Sequence, residues 1–160
     1  MRKRSLSVLS HLVLNDMMKV KGHIARLAIC MRSDEDPSIR RTARAFFSTL
    51  AAKSHRNSNP IYNLLPDILS HLSTDKGLPT KDAESIMLFL LDYVKQDKQQ
   101  DSLREKIICR FELVVEPCEW SLLAKCVTAL GYSDKGMRRI IELLKCYKVG
   151  LLIRYGSRSI

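Results

Sequence analysis

Apolar residues recur along this chain at helical spacing from end to end, and no stretch shows a strict two-residue alternation. Met17, Val20, Ile24, Leu27, Ala28 and Met31 form one stripe, predicting a helix over 17–32. Asp36-Pro37 is a helix start, an oxygen-bearing cap followed by a proline where no N–H is needed. Its stripe of Ile39, Ala43, Phe46, Phe47 and Leu50 predicts a helix over 37–54. Asn59-Pro60 is a second such start, with Ile61, Leu64, Leu65, Ile68, Leu69 and Leu72 predicting 60–73. Pro66 interrupts that stripe, but the apolar phase continues on both sides, so it reads as a kink and not an end. Thr80 opens a helix over 80–97 carrying Ile86, Phe89, Leu90, Tyr93 and Val94. Ser102 with Glu105 reads as a capping box for 101–115, with Leu103, Ile107, Phe111 and Val114 inside. Glu116-Pro117 breaks the chain before a helix over 118–131 with Leu122, Leu123, Cys126, Val127 and Leu130. A last helix carries Met137, Ile140, Ile141 and Leu144, with Ser133 or Asp134 as its cap.

Taken as pairs, these helices begin at 17, 60 and 101, offsets of 43 and 41 residues. That period falls in the range of about 40–47 residues kept by HEAT and armadillo repeats. A proline-kinked helix favours the first of the two. One pair cannot bury its own stripe, so neighbours must stack. The fold expected is all-α, a HEAT-type α-solenoid of about three to four antiparallel helix pairs.

Composition adds a sign. The 160 residues hold 27 Lys and Arg against 17 Asp and Glu, a formal charge of +10. So basic a chain attracts acidic partners, nucleic acid first among them. The excess is uneven: residues 1–32 hold seven basic residues against one acidic, and 33–59 five against three. Residues 60–101 reverse it with four against seven, and 102–160 hold eleven against six. The longest purely apolar run is six residues, Ile86 to Leu91, against about 20 for a bilayer span. Behind Met1-Arg2-Lys3-Arg4 stands no apolar stretch of a secretory signal, although the four residues resemble a weak nuclear-import patch. The five cysteines, Cys30, Cys109, Cys118, Cys126 and Cys146, make no C-x-x-C pair. Four fall on apolar-periodic stretches, and they read as reduced thiols packed as small hydrophobes in an intracellular protein.

The candidate site residues are basic. Lys19, His23 and Arg26 lie at i, i+4 and i+7, opposite their helix's apolar stripe. Arg40, Arg41 and Arg44 do the same on the next helix, and Arg138 with Arg139 form a smaller cluster. Lys19, Arg26, Arg40, Arg41, Arg44, Arg138 and Arg139 are thus candidates for contacts to DNA phosphates, without base readout. As plain chemistry they are equally ordinary solvated faces. His11, His23, His55 and His71 show no metal-ligand spacing, and no nucleophile or phosphate loop stands out, so neither a cofactor nor a catalytic site is expected. Trp120 reads as a helix-packing anchor.

Two strings carry a resemblance. Leu12-Val13-Leu14-Asn15-Asp16-Met17-Met18-Lys19-Val20-Lys21-Gly22 resembles a segment of the condensin complex subunit 1 family, the HEAT-repeat non-SMC subunits of condensin. Asn59-Pro60-Ile61-Tyr62-Asn63-Leu64-Leu65-Pro66-Asp67-Ile68-Leu69 is similar to a second hallmark, with Phe46-Phe47 placed between them as the family has it. A weaker likeness is Asp97-Lys98-Gln99 followed by Ser102-Leu103 and Glu105-Lys106. The likeness runs from about Val8 to Cys146 and fits the condensin I form better than condensin II. It implies a non-catalytic scaffold that binds the kleisin and SMC subunits and double-stranded DNA or chromatin. It also implies support of mitotic chromosome condensation in the nucleus, with a cytoplasmic phase in part of the cell cycle, and no membrane or small-molecule substrate. Residues 1–148 are the expected HEAT segment and 149–160 a divergent tail. Because the family's chains are far longer and this segment belongs to their C-terminal part, a fragment is the expectation. The rival reading is a nuclear adaptor or transport-type solenoid that binds acidic proteins or peptides.

Overall fold

A computed structural model describes residues 2–15, 23–53, 59–114 and 116–143. Among them are eight helices and no strand: α1 (Arg2–Leu14), α2 (Ile24–Ile29), α3 (Pro37–Ala52), α4 (Pro60–Thr74), α5 (Thr80–Leu91), α6 (Asp97–Arg110), α7 (Pro117–Ala129) and α8 (Asp134–Glu142). The fold is all-α, consistent with a HEAT-type solenoid. It divides into two compact units at Val94 and Lys95.

In the first unit the starts of α3 and α4 are as the sequence dictates. Asp36 accepts from the Ser38 and Ile39 N–H groups at 2.7 and 3.4 Å, with Pro37 in the first turn. Asn59 accepts from those of Ile61 and Tyr62 at 3.0 and 3.3 Å. All eleven stripe residues expected on these two helices are buried. α4 runs unbroken through Pro66. α3 packs on α1 and α4, while α2 packs on α4 and α5, and α4 also on α5.

Asn59 has a second task, since its Nδ2 donates to the Tyr93 carbonyl at 3.0 Å and ties the start of α4 to the turn after α5. Asn59→Ala is therefore expected to cost about 1–2 kcal/mol in urea unfolding followed by circular dichroism. Asn59→Asp keeps the cap, loses the donor, and should fall between the two.

Several boundaries differ from the expected ones. α1 was not singled out; its buried line of Leu6, Ser10 and Val13 is broken in hydropathy by Ser10, whose hydroxyl donates back to the Leu6 carbonyl at 2.7 Å. For the helix expected over 17–32, Met17 and Val20 lie outside the described residues. Its described part ends at Ile29, where Met31 and Arg32 donate to the Ala28 and Ile29 carbonyls in tight turns. α5 stops at Leu91, not 97, because Tyr93 and Val94 donate to the Leu90 and Leu91 carbonyls and tighten the chain. Val94 is buried just past the helix, which is why the stripe seemed to run on.

In the second unit α6 opens at Asp97, so Ser102 is interior and the expected capping box is not the start. Asp97 in the first turn suits a helix N-terminus, and the polar run behind it holds no breaker. α6 ends at Arg110, with Phe111 as the cap and Val114 beyond it. Trp120 is the corner anchor: its ring meets Phe111 edge-on at 4.7 Å, and its Nε1 donates to the Val114 carbonyl at 3.0 Å. α6 packs on α7 and α8.

α8 starts with Ser133, whose Oγ accepts from the Gly136 N–H at 2.9 Å. Its packing reverses the expectation. Met137 and Ile141 are exposed and Ile140 half-buried, whereas Gly136 is buried and Arg139 reaches α6. The reason is a polar node. Arg104, 1% exposed, donates to Asp101 at 2.6 Å and to the Gly131 carbonyl, and Asp101 accepts from Ser133 at 2.9 Å. A Cβ on Gly136 would press on the Asp101 carboxylate and the Arg104 guanidinium, so a larger residue there requires both side chains of the node to shift.

The thiols also depart from expectation. Cys126 is buried and Cys30 half-buried, but Cys109 and Cys118 are exposed, lying on the outer side of α6 and in the first turn of α7. Cys146, His55, the last stripe residue Leu144 and the 149–160 tail lie outside the described residues. No helix of the described residues is long and apolar enough to cross a membrane.

Candidate functional site

α3 buries its apolar side and so must turn its remaining residues outward or sideways. Arg40, Arg41 and Arg44 leave on that second side and line one cleft of about 340 Å³ with Met31, Ser33, Asp82 and Ser85. Each guanidinium is held differently. Arg40 is half-buried and donates through Nη1 to the Ser33 carbonyl at 2.9 Å. Arg44 is exposed, its Cζ 5.1 Å from the centre of the Phe89 ring. Such a stacked guanidinium keeps its in-plane N–H groups for an anion. Arg41 is exposed and makes only a long contact, 3.4 Å, to the Pro37 carbonyl. Among the described residues none of the three is in an ion pair.

The wall opposite comes from α5. Asp82 is buried, and its two oxygens accept from the Ser33 N–H and hydroxyl, each at 3.1 Å. The carboxylate thereby fixes the loop whose carbonyl holds Arg40. Further along, Phe89 meets Tyr93 edge-on at 5.4 Å, and the Tyr93 hydroxyl pairs with Ser48 of α3 at 2.7 Å. In the loop between α2 and α3, Arg32 and Asp34 pair with each other; their hydrogen bond raises the Arg32 pKa and lowers that of Asp34. The Ser38 hydroxyl and N–H hold the Asp36 carboxyl below its ordinary value.

The other candidates lie elsewhere. Arg26 and His23 are exposed and line a separate groove of about 520 Å³ with Leu6, Leu9 and Ile39, not the cleft of the α3 arginines. Lys19 lies outside the described residues. Arg138 is exposed on α8. Arg139 is forked between Glu105, at 2.7 Å, and Glu142, also at 2.7 Å, and these carboxylates raise its pKa above the ordinary value. A guanidinium with two carboxylates already on it is a weaker phosphate ligand than those of α3. Asp82, Ser33 and Phe89 were not foreseen in this role. The available signal was an acid in the first turn of α5, which by itself reads as dipole matching.

The sequence model of the family described as non-SMC mitotic condensation complex subunit 1 matches residues 1–128. The condensin-1 complex subunit CAP-D2 of Arabidopsis thaliana is 42% identical over 162 residues, covering 99% of this chain and 11% of that protein. Condensin complex subunit 1 of Xenopus laevis is 40% identical over 147 residues, covering 91% of this chain and 10% of that protein. The Homo sapiens protein of the same name is 38% identical over the same length and shares. The chain thus spans about a tenth of the length of these relatives. No solved structure matches it significantly.

Proposed function

The chain belongs to the non-SMC mitotic condensation complex subunit 1 family, and from that premise we propose that it acts by binding and not by catalysis. In this reading it is a HEAT-repeat scaffold segment that joins kleisin and SMC partners of condensin, contacts double-stranded DNA, and serves chromosome condensation in the nucleus. The observation that carries the DNA contact is the set of three arginines on α3, unpaired among the described residues and gathered at one cleft. Phosphate neutralisation by such groups releases counterions, so the binding should be independent of sequence and sensitive to salt. Arg26 and Arg138 contribute as exposed cations and Arg139 least, because its carboxylates must be displaced first. The family match favours this reading over an adaptor or transport solenoid.

The test is a duplex-DNA titration of the 160-residue chain at about 50 and about 200 mM salt. Arg41→Glu with Arg44→Glu is expected to weaken binding tenfold or more, about 1.4 kcal/mol, and to flatten the salt slope. Arg40 is left in place because it anchors the Ser33 loop. Unchanged DNA affinity in a double variant of full helicity would discard this face as the DNA contact.

A further inference from the structure

We propose that the cleft between α3 and α5 is a receptor for a single phosphomonoester, the phosphorylated serine or threonine side chain of a protein partner. The inference uses the arginines of the DNA reading but stands on the shape of the site, not on that reading.

A duplex presents its phosphates as a convex, evenly spaced rail of monoanions, and a protein tracks it with cations strung along a surface. Here Arg40, Arg41 and Arg44 converge on one cleft of about 340 Å³, which has room for a phosphorylated side chain among the three guanidinium groups. A phosphomonoester brings a charge of about −1.5 to −2 and three acceptor oxygens, matching three guanidinium groups better than a diester does. Its tether matters too, because a flexible peptide can lower a side chain into the cleft between two helices.

The arginines are also prepared for such a group. Arg40 is set by the Ser33 carbonyl and Arg44 by the face of Phe89, so two of the three arrive with their planes fixed and lose little freedom on binding. The one carboxylate in the lining, Asp82, already spends both oxygens on Ser33. Ser85 adds a hydroxyl to the lining. Arginine clusters of this kind are the recurring means of reading phosphorylated side chains.

The probe is a neutral phosphoserine peptide of about 10 residues, titrated into the full chain with the arginine Nε–H signals followed by NMR. Saturable shifts of the Arg40, Arg41 and Arg44 signals are expected, with at least tenfold weaker binding of the unphosphorylated peptide. Arg44→Gln should weaken phosphopeptide binding tenfold or more. Ser85→Glu, which puts a carboxylate into the cleft without touching the arginines, should do the same. The proposal is overturned if the phosphopeptide shifts none of the three signals, or if Ser85→Glu leaves its affinity unchanged. Inorganic phosphate bound as tightly as the peptide would reduce the cleft to a bare anion site and likewise overturn it. Duplex DNA binding measured alongside separates the two readings: DNA bound with no phosphopeptide bound sinks this one alone, and the reverse sinks only the DNA contact.

Discussion

Arg104→Ala is expected to cost the second unit about 3 kcal/mol, the low end of the penalty for breaking a buried ion pair, because Arg104 is buried but its partner Asp101 is 28% exposed. The side chain is 1% exposed and serves three neighbours at once. It holds the Asp101 carboxylate at 2.6 Å and the Gly131 carbonyl, and lies 5.1 Å from the centre of the Tyr132 ring. Asp101 in turn accepts from Ser133, which caps α8. Alanine leaves a carboxylate facing a void without its cation, and the cap loses its support. Whole domains are stable by only about 5–15 kcal/mol, so a loss of this size is a large part of what holds the unit. Trp120 is the one tryptophan of the chain and belongs to this unit, so urea unfolding followed by its fluorescence reads the loss directly. Arg104→Met should be clearly milder than alanine. It fills much of the same buried space and also removes the Nε, which is buried with no partner. Equal stability of the alanine variant and the parent chain would show that the node does not hold α8.

How much of this was legible depended on whether the controlling contact was local. α3 and α4 were readable to within two residues because Asp36-Pro37 and Asn59-Pro60 put cap and proline side by side, and their stripes fall on a single face. The α5–α6 border was misread because two backbone turns tighten the chain at Tyr93 and Val94 with no proline or glycine to announce it. α8 was misread more deeply. Its pattern is amphipathic, and the rule that the apolar side faces inward failed because Asp101, Arg104 and Gly136 draw its polar side onto α6. That node joins residues some 30 positions apart, and nothing local marks Arg104 among the chain's basic residues as the buried one. The candidate site divides in the same way. The outward arginines of α3 follow from helical phase, but Ser33 and Asp82, 49 positions apart, meet only through the packing of α2 on α5. The cleft is therefore a tertiary product, with three of its seven lining residues visible in sequence as a bare run of charge.

Phe47→Ala is the corresponding expectation for the first unit, and it tests whether the cleft depends on the core beneath it. Phe47 is wholly buried and meets Phe46 edge-on at 5.1 Å, on the inner side of the helix that carries Arg40, Arg41 and Arg44. Truncating a buried phenylalanine removes its transfer energy and leaves a cavity, together about 3–5 kcal/mol. Phe47→Leu keeps most of the volume and should cost far less. The informative comparison is between kinds of variant. Arg41→Glu with Arg44→Glu should weaken anion binding tenfold or more while circular dichroism and the urea midpoint stay near those of the parent, because both side chains are exposed. Phe47→Ala should lower the urea midpoint and lose anion binding only in proportion to the folded fraction, so that the affinity of the molecules still folded is unchanged. Binding that falls further than the unfolding accounts for would mean that the inner side of α3 also sets the positions of its arginines. An unshifted midpoint would contradict the packing of α3 on α1 and α4.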